Sequence, residues 1–563
     1  LQSKHDILTW TRYDNTQILK LILQNTEHAK NYKEIIEKVG KITPILSYKH
    51  NDFTITLLNI IRDTMIFQII DFNGRSQNII IYNLKNLFNG DLLSTTKEYN
   101  IPYSKLGDEY HIIDKKRFYS DLEYKKGVLL SNKMDAQVLP KIAYKLLDSF
   151  KKLTGRVPKS IFSNGSLARS YLLSMFGTSG SKMLQFKSMF SEHEKSNYNK
   201  WYKLLDYSMR SYFGGKIDSY VIGSVGSANV IDITSAYPWA LTELKEIDNK
   251  KIYVSNDINE LKNFFYAFIE CDIIDLPDNF YHSIIVPSPL SHANITPSGF
   301  IERAIITKLE YDFLIENNIE VKLHSYVAVG HNEKYPYKDL INTLFDSRIE
   351  NMRNGNIIIA NLIKTILNSL YGITYELTPL YDYINGDIKK IGLRAGDYFN
   401  PIIASYITAM VRVRLSKADN LIQSQGGEIL LNMTDSIFYK SDNKIDFGNL
   451  VSENKILGLF ETPEKITNLI ILGAGRYEYT SEKGKHIVKS RGFNANVSDS
   501  LFYKNFDLNK TLHIKYNEFV TAFKATTLKY ELNDLGSIIE NQEYNINPLN
   551  IGGKRLIENI KQD

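Results

Sequence analysis

Short runs of apolar, mostly β-branched residues and stretches of helical spacing alternate along the first 200 residues of this chain. The runs at 53–61 and 65–71 predict two strands. Apolar residues at helical spacing predict helices over 16–39 and 139–153. We therefore predict an α/β domain in this part of the chain.

The middle of the chain changes character after a polar stretch at 177–195, which predicts a connector and a domain boundary near 190–205. Residues 253–329 are rich in β-prone runs with Pro and Gly breaks, which indicates a strand-rich insertion. Helical spacing over 337–371, interrupted at Asn354-Gly355, predicts a pair of helices.

The remaining elements follow from similar patterns. Asn385-Gly386 with β-prone flanks predicts a small hairpin. A strongly apolar stretch at 402–421 predicts a helix, and 428–440 predicts a strand region. The segment from 477 onward alternates strand and helix patterns and is rich in lysine.

Composition limits the class of protein. A length of 563 residues predicts three to four domains, and 43% hydrophobic with 23% charged residues is ordinary for a folded globular protein. The net charge of +5 is mildly basic and favours a polyanionic partner only weakly. The single cysteine excludes an internal disulfide and a cysteine-based zinc site. The chain contains no run of about eighteen apolar residues, so the sequence predicts no membrane span.

Two acidic residues lie inside apolar segments, Asp232 in 230–238 and Asp435 in 431–438. A carboxylate is costly to desolvate unless a cation or hydrogen bonds compensate it. Hard cations such as Mg²⁺ prefer carboxylate oxygens, so both residues are candidate metal ligands. Each alone is as well explained as an aspartate at the end of a strand, and a shared site requires the fold to bring two distant strands together.

A third segment places Lys364, Asn368 and Tyr371 at positions i, i+4 and i+7, on one face of a predicted helix. Lys364 offers a cation for a triphosphate, and Asn368 with Tyr371 offers a polar and aromatic wall for a base or sugar. Gly372 is predicted to end the helix in a left-handed conformation. On periodicity alone, a solvent-facing lysine above a packed tyrosine is the simpler interpretation.

The three segments together resemble a known set of motifs. Asp-x-x-Ser-x-Tyr-Pro at 232–238, Lys-x-x-x-Asn-Ser-x-Tyr-Gly at 364–372 and Thr-Asp-Ser at 434–436 resemble motifs A, B and C of the family B DNA polymerases. Tyr212-Phe-Gly-Gly215 is similar to the Tyr-x-Gly-Gly segment of the protein-primed branch. Insertions between motifs A and B, and between B and C, are also typical of that branch.

The resemblance implies an α/β and α+β multidomain fold, a right-hand polymerase of palm, fingers and thumb preceded by a ribonuclease H-like exonuclease-type domain. It implies these parts: a degenerate 3′-5′ exonuclease-like domain over 1–200, palm over 201–245 and 401–480, an inserted subdomain over 246–336, fingers over 337–376, a hairpin insertion over 377–400, and a thumb with the C-terminal region over 481–563.

The resemblance also implies residue roles. Asp232, Asp435 and the backbone carbonyl of Ile233 would hold two Mg²⁺ ions, for which Mn²⁺ can substitute. Tyr237 would lie under the incoming sugar and disfavour a ribose. Lys364, with Arg353 or Arg348 as partner, would bind the triphosphate beside Asn368 and Tyr371; both arginines are otherwise interpreted as solvated surface residues. The residues implied to contact nucleic acid are Tyr212, Gly214, Gly215, Ser369, Gly372, Thr434, Ser436, Arg476, Tyr477 and Lys489.

Some positions depart from the family pattern. Met433 replaces the first acid of motif C, Gly475 replaces a lysine two residues before Tyr477, and Ala236 replaces a leucine. These changes are compatible with a polymerase that is active but weakened.

The exonuclease carboxylates are largely missing. Asp121-Leu-Glu123 is misplaced for the first exonuclease motif, and Asn83 and Asn89 lie where an acid is expected. Asp135 alone remains of the last motif. One acid cannot hold two metal ions, so we expect an exonuclease fold without exonuclease activity.

Two functions of different classes are consistent with the sequence. The first is template-directed DNA synthesis that uses a DNA template-primer and dNTPs, with a priming terminal protein as a further partner. The second is a polymerase relic that acts as a nucleic-acid-binding or scaffolding subunit of a ribonucleoprotein. The joint retention of Asp232, Tyr237, Lys364 and Asp435 favours the enzyme.

Overall fold

The structure is a computed structural model with two compact units. One unit comprises residues 1–181, 346–396 and 516–542, and the other comprises 182–345, 397–515 and 543–563. The residues that the structure describes are 7–10, 12–24, 46–49, 53–61, 64–88, 90–104, 106–107, 110, 115–182, 184–187, 198–287, 294–384, 387–491, 512–520 and 537–546.

The described α-helices are α1 (Arg12–Gln24), α2 (Leu92–Glu98), α3 (Lys115–Ser120), α4 (Leu122–Thr154), α5 (Asn164–Lys182), α6 (Tyr198–Arg210), α7 (Ala236–Thr242), α8 (Ile258–Leu261), α9 (Lys308–Glu316), α10 (Lys338–Arg353), α11 (Ile357–Gly372) and α12 (Pro401–Ser424).

The described strands are β1 (Ile7–Thr9), β2 (Leu46–Lys49), β3 (Phe53–Ile61), β4 (Thr64–Asp71), β5 (Ser76–Asn83), β6 (Lys216–Ser219), β7 (Gly223–Asp232), β8 (Glu246–Ser255), β9 (Tyr266–Leu276), β10 (Val286–Pro287), β11 (Asn294–Ile295), β12 (Gly299–Thr307), β13 (Val321–Asn332), β14 (Leu377–Ile384), β15 (Asp387–Ala395), β16 (Glu428–Thr434), β17 (Ser436–Lys440), β18 (Val451–Ser452), β19 (Phe460–Glu461), β20 (Glu464–Gly473), β21 (Arg476–Thr480), β22 (His486–Ser490), β23 (Leu512–Phe519) and β24 (Ile538–Ile546).

The first unit contains a five-stranded sheet of order β1-β5-β4-β3-β2, in which β1 runs parallel to β5 and the other pairs are antiparallel. The predicted strands at 53–61 and 65–71 are confirmed as β3 and β4. Helix α4 begins well before the predicted residue 139. Asp121 caps its N-terminus by accepting a hydrogen bond from the Tyr124 amide at 3.0 Å, and Gly155 ends it with φ of 72°.

The predicted connector at 177–195 is wrong over its first residues, because α5 continues to Lys182 across a kink at Gly177, whose φ is 66°. Leu167, Ala168 and Tyr171 are buried, so tertiary packing anchors the part of the helix that precedes the kink. Residues 188–197 lie outside the described part of the chain. The predicted helix over 16–39 is described as α1, and its remainder lies outside that part too.

The helical pair predicted over 337–371 is confirmed as α10 and α11, with Gly355 at φ of 73° between them. The prediction that Gly372 ends α11 in a left-handed conformation is wrong. Gly372 has φ of −59°, and the chain continues into a 3₁₀ turn over Ile373–Tyr375, where Thr374 Oγ1 donates to the Tyr371 carbonyl at 2.7 Å. Ile373 is buried, so packing rather than glycine conformation decides this end.

By length and composition, residues 357–375 are apolar enough to cross a membrane. Six residues of α11 are buried, while Lys364 and Asn368 are exposed on its other face, and the helix packs against α4. Asn361 Nδ2 also donates to Glu98 Oε1 at 2.6 Å. These are features of a packed amphipathic helix.

The second unit is built on a seven-stranded sheet of order β22-β21-β20-β7-β17-β16-β6 and a four-stranded sheet of order β12-β9-β13-β8. The predicted helix over 402–421 is confirmed as α12, which begins with Pro401 after the capping residue Asn400. Its buried residues pack against α7 and β16. This helix therefore supports α7, which follows Asp232, and β16, which ends beside Asp435.

Candidate active site

Asp232, the last residue of β7, lies beside the β16–β17 turn that carries Asp435 in the seven-stranded sheet. β7 pairs antiparallel with β17, and this register places Asp232 opposite Ser436. Asp435 occupies the turn between β16 and β17, and its carbonyl accepts a hydrogen bond from the Ile233 amide at 3.0 Å. The fold thus brings together the two acids that the sequence separates by about two hundred residues.

The turn around Asp435 has an unusual backbone. Thr434 has φ of 56°, a conformation that a β-branched residue rarely adopts. Its Oγ1 donates to Asp435 Oδ1 at 2.8 Å, and Ser436 Oγ donates to Asp232 Oδ1 at 2.6 Å. The hydroxyls of the Thr-Asp-Ser segment therefore orient both carboxylates from behind.

The electrostatics of the pair favour a cation. Burial, together with the neighbouring Asp435 carboxylate, raises the pKa of Asp232 to about 7. Burial also raises the pKa of Asp435. Two desolvated carboxylates that resist ionising side by side are a donor set that a divalent cation fits. Within the described residues, no three or more His, Cys, Asp or Glu side chains form a metal-binding group.

Met433 packs against an apolar cluster that includes Val221, Leu431 and Phe438. The family acid that it replaces would have to be desolvated there. A methionine in place of that acid is therefore compatible with the packing of this apolar cluster.

Gly215 joins the Tyr-Phe-Gly-Gly segment to both acid-bearing segments. A β-carbon at this position would lie 2.4 Å from the Tyr237 hydroxyl oxygen and 3.1 Å from the Thr434 α-carbon. Tyr237 lies in the first turn of α7, and burial raises the pKa of its phenol. A larger residue at this position would force Tyr237 and the Thr434 backbone to shift.

Arg412 is a structural contributor that the sequence interpretation missed. It is fully buried in α12, and its Nη1 donates to the carbonyls of Phe213 at 2.7 Å and Gly214 at 2.9 Å. Its Nη2 donates to Glu310 Oε1 at 2.7 Å, and the two form a buried ion pair. An arginine that follows a long apolar run in this helix was the available signal, since a buried charge must be paired.

Glu461 is a second residue that the sequence interpretation missed. Ile233 bridges to Phe460, and the Thr234 amide donates to the Leu459 carbonyl at 2.8 Å. This places Glu461 beside the acid pair, where its charge contributes to the raised pKa of Asp232. Lys455 pairs with Glu461 at 3.1 Å. Only the strand pairing reveals this third carboxylate.

The predicted nucleotide-binding residues of motif B lie in the other unit from the acid pair. Lys364, Asn368 and Arg353 are exposed, whereas Tyr371 and Arg348 are half-buried. The lysine and asparagine share the exposed face of α11, as the spacing predicted. Ser369 is half-buried and Gly372 exposed on the same helix.

The predicted primer-contacting strands differ in exposure. Tyr477 is only 5% exposed, and its ring packs edge-on against Phe438 at 5.2 Å between centroids. Lys489 lies opposite Tyr477 on β22 and is exposed. Arg476 Nε donates to the Arg491 carbonyl at 2.9 Å. Tyr212 and Ser436 are half-buried.

The exonuclease-like positions in the first unit make structural contacts. Asn83 caps a short 3₁₀ helix by accepting a hydrogen bond from the Lys85 amide, and it lies opposite Thr9 in the β1–β5 register. Asp135 accepts a hydrogen bond from the Tyr103 hydroxyl. Asp121 caps α4, so the Asp-Leu-Glu segment starts a helix, not a strand. Asn89 lies outside the described residues.

Comparison with known proteins places this chain in a family. Residues 4–374 match the family model described as DNA polymerase type B, organellar and viral. The DNA polymerase of Acidianus bottle-shaped virus (isolate Italy/Pozzuoli) is 23% identical over 528 residues, which cover 86% of this chain and 73% of the relative.

Solved structures show the same fold. Phi29 DNA polymerase complexed with primer-template DNA matches with a TM-score of 0.66 at 14% identity, over 97% of this chain and 92% of that one. The phi29 ternary complex with primer-template DNA and incoming nucleotide matches with a TM-score of 0.64 at 15% identity, over 97% and 91% of the two chains. The fold is that of a right-hand polymerase. The chain is a DNA-directed DNA polymerase and belongs to the organellar and viral members of type B.

Proposed function

We propose that this polymerase extends a primer 3′-hydroxyl with Asp232 and Asp435 as the carboxylates that hold two Mg²⁺ ions, with the Ile233 carbonyl as a further ligand. The observation that carries the proposal is that Asp232 pairs with Ser436, the neighbour of Asp435, and that burial raises the pKa values of both acids. Bound there, the ions would activate the primer hydroxyl and neutralise the triphosphate, and Mn²⁺ can substitute.

Other residues would position the substrates. Tyr237, held by its close approach to Gly215, would lie under the incoming sugar. Lys364 and an arginine, Arg353 or Arg348, would bind the triphosphate, with Asn368 and Tyr371 beside the base or sugar. The exposure of Lys364, Arg353 and Asn368 supports these roles. The residues proposed to contact DNA are Tyr212, Gly214, Gly215, Ser369, Gly372, Thr434, Ser436, Arg476, Tyr477 and Lys489.

We propose that Glu461 contributes negative charge that the Met433 position lacks. Its carboxylate is near enough to Asp232 to raise the pKa of that residue. An added carboxylate strengthens attraction for a divalent cation at the edge of the site. In a primer extension assay, we expect the kcat of Glu461→Gln to lie between those of wild type and Asp435→Asn.

Primer extension on a primed single-stranded template tests the proposed function directly. The protein should add dNTPs in the order of the template when Mg²⁺ or Mn²⁺ is present. A folded protein that binds DNA but extends no primer with either ion would favour the scaffolding function instead.

We propose that the first unit lacks 3′-5′ exonuclease activity. Asn83 and Asp135 are engaged in structural hydrogen bonds, which supports the proposal. With labelled single-stranded DNA and Mg²⁺, we expect no release of mononucleotides. Release that Asp135→Ala abolishes would contradict this prediction, and a proofreading polymerase assayed beside it is the positive control.

We propose that the inserted region 246–336 holds a priming protein whose hydroxyl starts synthesis. The region forms its own four-stranded sheet with helix α9, which supports a separate binding role. With labelled dNTP and proteins from its own replicon, we expect a labelled nucleotide that stays on protein in a denaturing gel and is released by protease. Synthesis only from nucleic-acid primers would oppose protein priming.

A further inference from the structure

A fully buried ion pair lies directly behind the acid-bearing turn. Lys216, the first residue of β6, places its Nζ 2.9 Å from Asp419 Oδ2 and 3.3 Å from Ser416 Oγ, and both partners are on α12. Neither charged side chain has any exposed surface. A lysine and an aspartate are almost never fully buried unless they are paired, so the pair is a built feature of the fold.

The pair belongs to a hydrogen-bond network that reaches β16, the strand that ends beside Asp435. Asn432 on β16 donates from Nδ2 to Asp419 Oδ1 at 3.0 Å and accepts from the Tyr220 hydroxyl at 3.1 Å. Asp218 accepts from Thr296 Oγ1 at 2.7 Å and lies 3.3 Å from the Tyr220 hydroxyl. Asp419 and Asn432 thus each have a second hydrogen-bond partner, Lys216 and Tyr220 respectively, as a buried polar network requires.

Lys216 also lies opposite the strained residue of the turn. In the β16–β6 register Lys216 pairs with Thr434, and Asn432 pairs with Asp218. Thr434 has a φ of 56°, and such a backbone conformation persists only when the surrounding structure holds it. The ion pair ties β6 to α12, and β6 in turn fixes the strand that ends in this turn.

A buried ion pair is weak evidence for stability, because the cost of desolvation offsets most of the attraction. Replacing such a pair by apolar residues of similar size is often neutral for folding. We infer that Lys216, Asp419 and Asn432 are positioning residues, which hold the Thr434–Asp435 turn so that Asp435 faces Asp232. This inference rests on the proposed role of Asp232 and Asp435 as cation ligands.

The test compares Lys216→Met, Asp419→Leu and the double variant with wild type. Each single variant leaves one buried charge unpaired, so we expect a lower melting temperature, and the double variant should recover much of it. Mn²⁺ binding, measured by electron paramagnetic resonance, should nevertheless be weaker by about 10-fold in the double variant, the lower end of the range for residues that orient metal ligands. The extension kcat should fall with it, while the dNTP KM changes little.

Lys417→Met is the matched control. Lys417 is on the same helix but is exposed in its pair with Glu316, so Mn²⁺ binding and kcat should match wild type. A folded double variant with wild-type Mn²⁺ affinity and kcat would overturn the inference.

Tyr220→Phe removes the hydroxyl that contacts Asn432 and Asp218, and we expect a smaller loss of Mn²⁺ affinity in the same direction. It decides the question if the double variant does not fold, since unchanged affinity in Tyr220→Phe then overturns the inference. Wild-type protein that binds no more Mn²⁺ than Asp435→Asn would instead refute the proposed function.

Discussion

Asp435→Asn should abolish primer extension while leaving the protein folded. The substitution keeps the shape and the hydrogen bond from Thr434, but it removes one of two carboxylates proposed to hold the ions. Losing a charge that stabilises the transition state costs several kcal/mol, which corresponds to about a thousandfold or more in kcat. Steady-state extension of a labelled primer with Mg²⁺ and with Mn²⁺ measures the loss. Asp232→Asn should behave alike, and near-wild-type extension by either variant would refute the two-carboxylate assignment.

The same pair predicts a pH-dependent response to Mg²⁺. The pKa of Asp232 is raised to about 7 from an ordinary value of 3.8, so the folded metal-free protein holds a proton that the unfolded chain releases. Its stability contribution is therefore lost as pH rises from about 4 through about 7. Mg²⁺ binds the ionised form, so the increase in melting temperature on adding Mg²⁺ should be larger at pH 8 than at pH 6. Asp435→Asn should weaken this response, and a wild-type response that falls with pH would contradict the assignment.

Gly215→Ala should reduce extension by about a hundredfold, because displacing a positioning group by about an ångström has effects of that size. The new methyl group would meet the Tyr237 hydroxyl at 2.4 Å and the Thr434 backbone at 3.1 Å. Tyrosine can rotate, but the Thr434 backbone cannot move without shifting Asp435. We expect the loss in kcat and in the selection of deoxyribonucleotides over ribonucleotides, measured by competing the two in extension assays.

Gly214→Ala provides the matched control for this prediction. A β-carbon at Gly214 meets no atom within 4 Å, although the residue is adjacent in sequence and its carbonyl also accepts from Arg412. We therefore expect a much smaller loss of kcat from Gly214→Ala than from Gly215→Ala, and any effect should fall on DNA affinity, because Gly214 is proposed to contact DNA. Equal losses in the two variants would show that loop flexibility, not the contact with Tyr237, explains the effect.

Local sequence predicted individual elements well where periodicity or turn residues were strong. The strand at 53–61 and the helix pair broken at Asn354-Gly355 were confirmed because their apolar faces and breaks are local properties. The helix α11 ends at Gly372 as predicted, but the left-handed conformation of this glycine was mispredicted, since burial of Ile373 carries the chain into a 3₁₀ turn. The helical residues within 177–195 were missed because this polar segment lacks apolar periodicity.

The sequence by itself determined the reaction class, because three motifs in a fixed order name the residues that a polymerase needs. Only the tertiary structure decided which other side chains surround the residues of these motifs. Strand pairing placed Ser436 against Asp232 and Glu461 beside them. Burial revealed Arg412, and the network around Lys216 became visible only through contacts between residues about two hundred positions apart. Sequence spacing carries no information on such long-range pairs, since the fold of the whole sheet and helix α12 sets them.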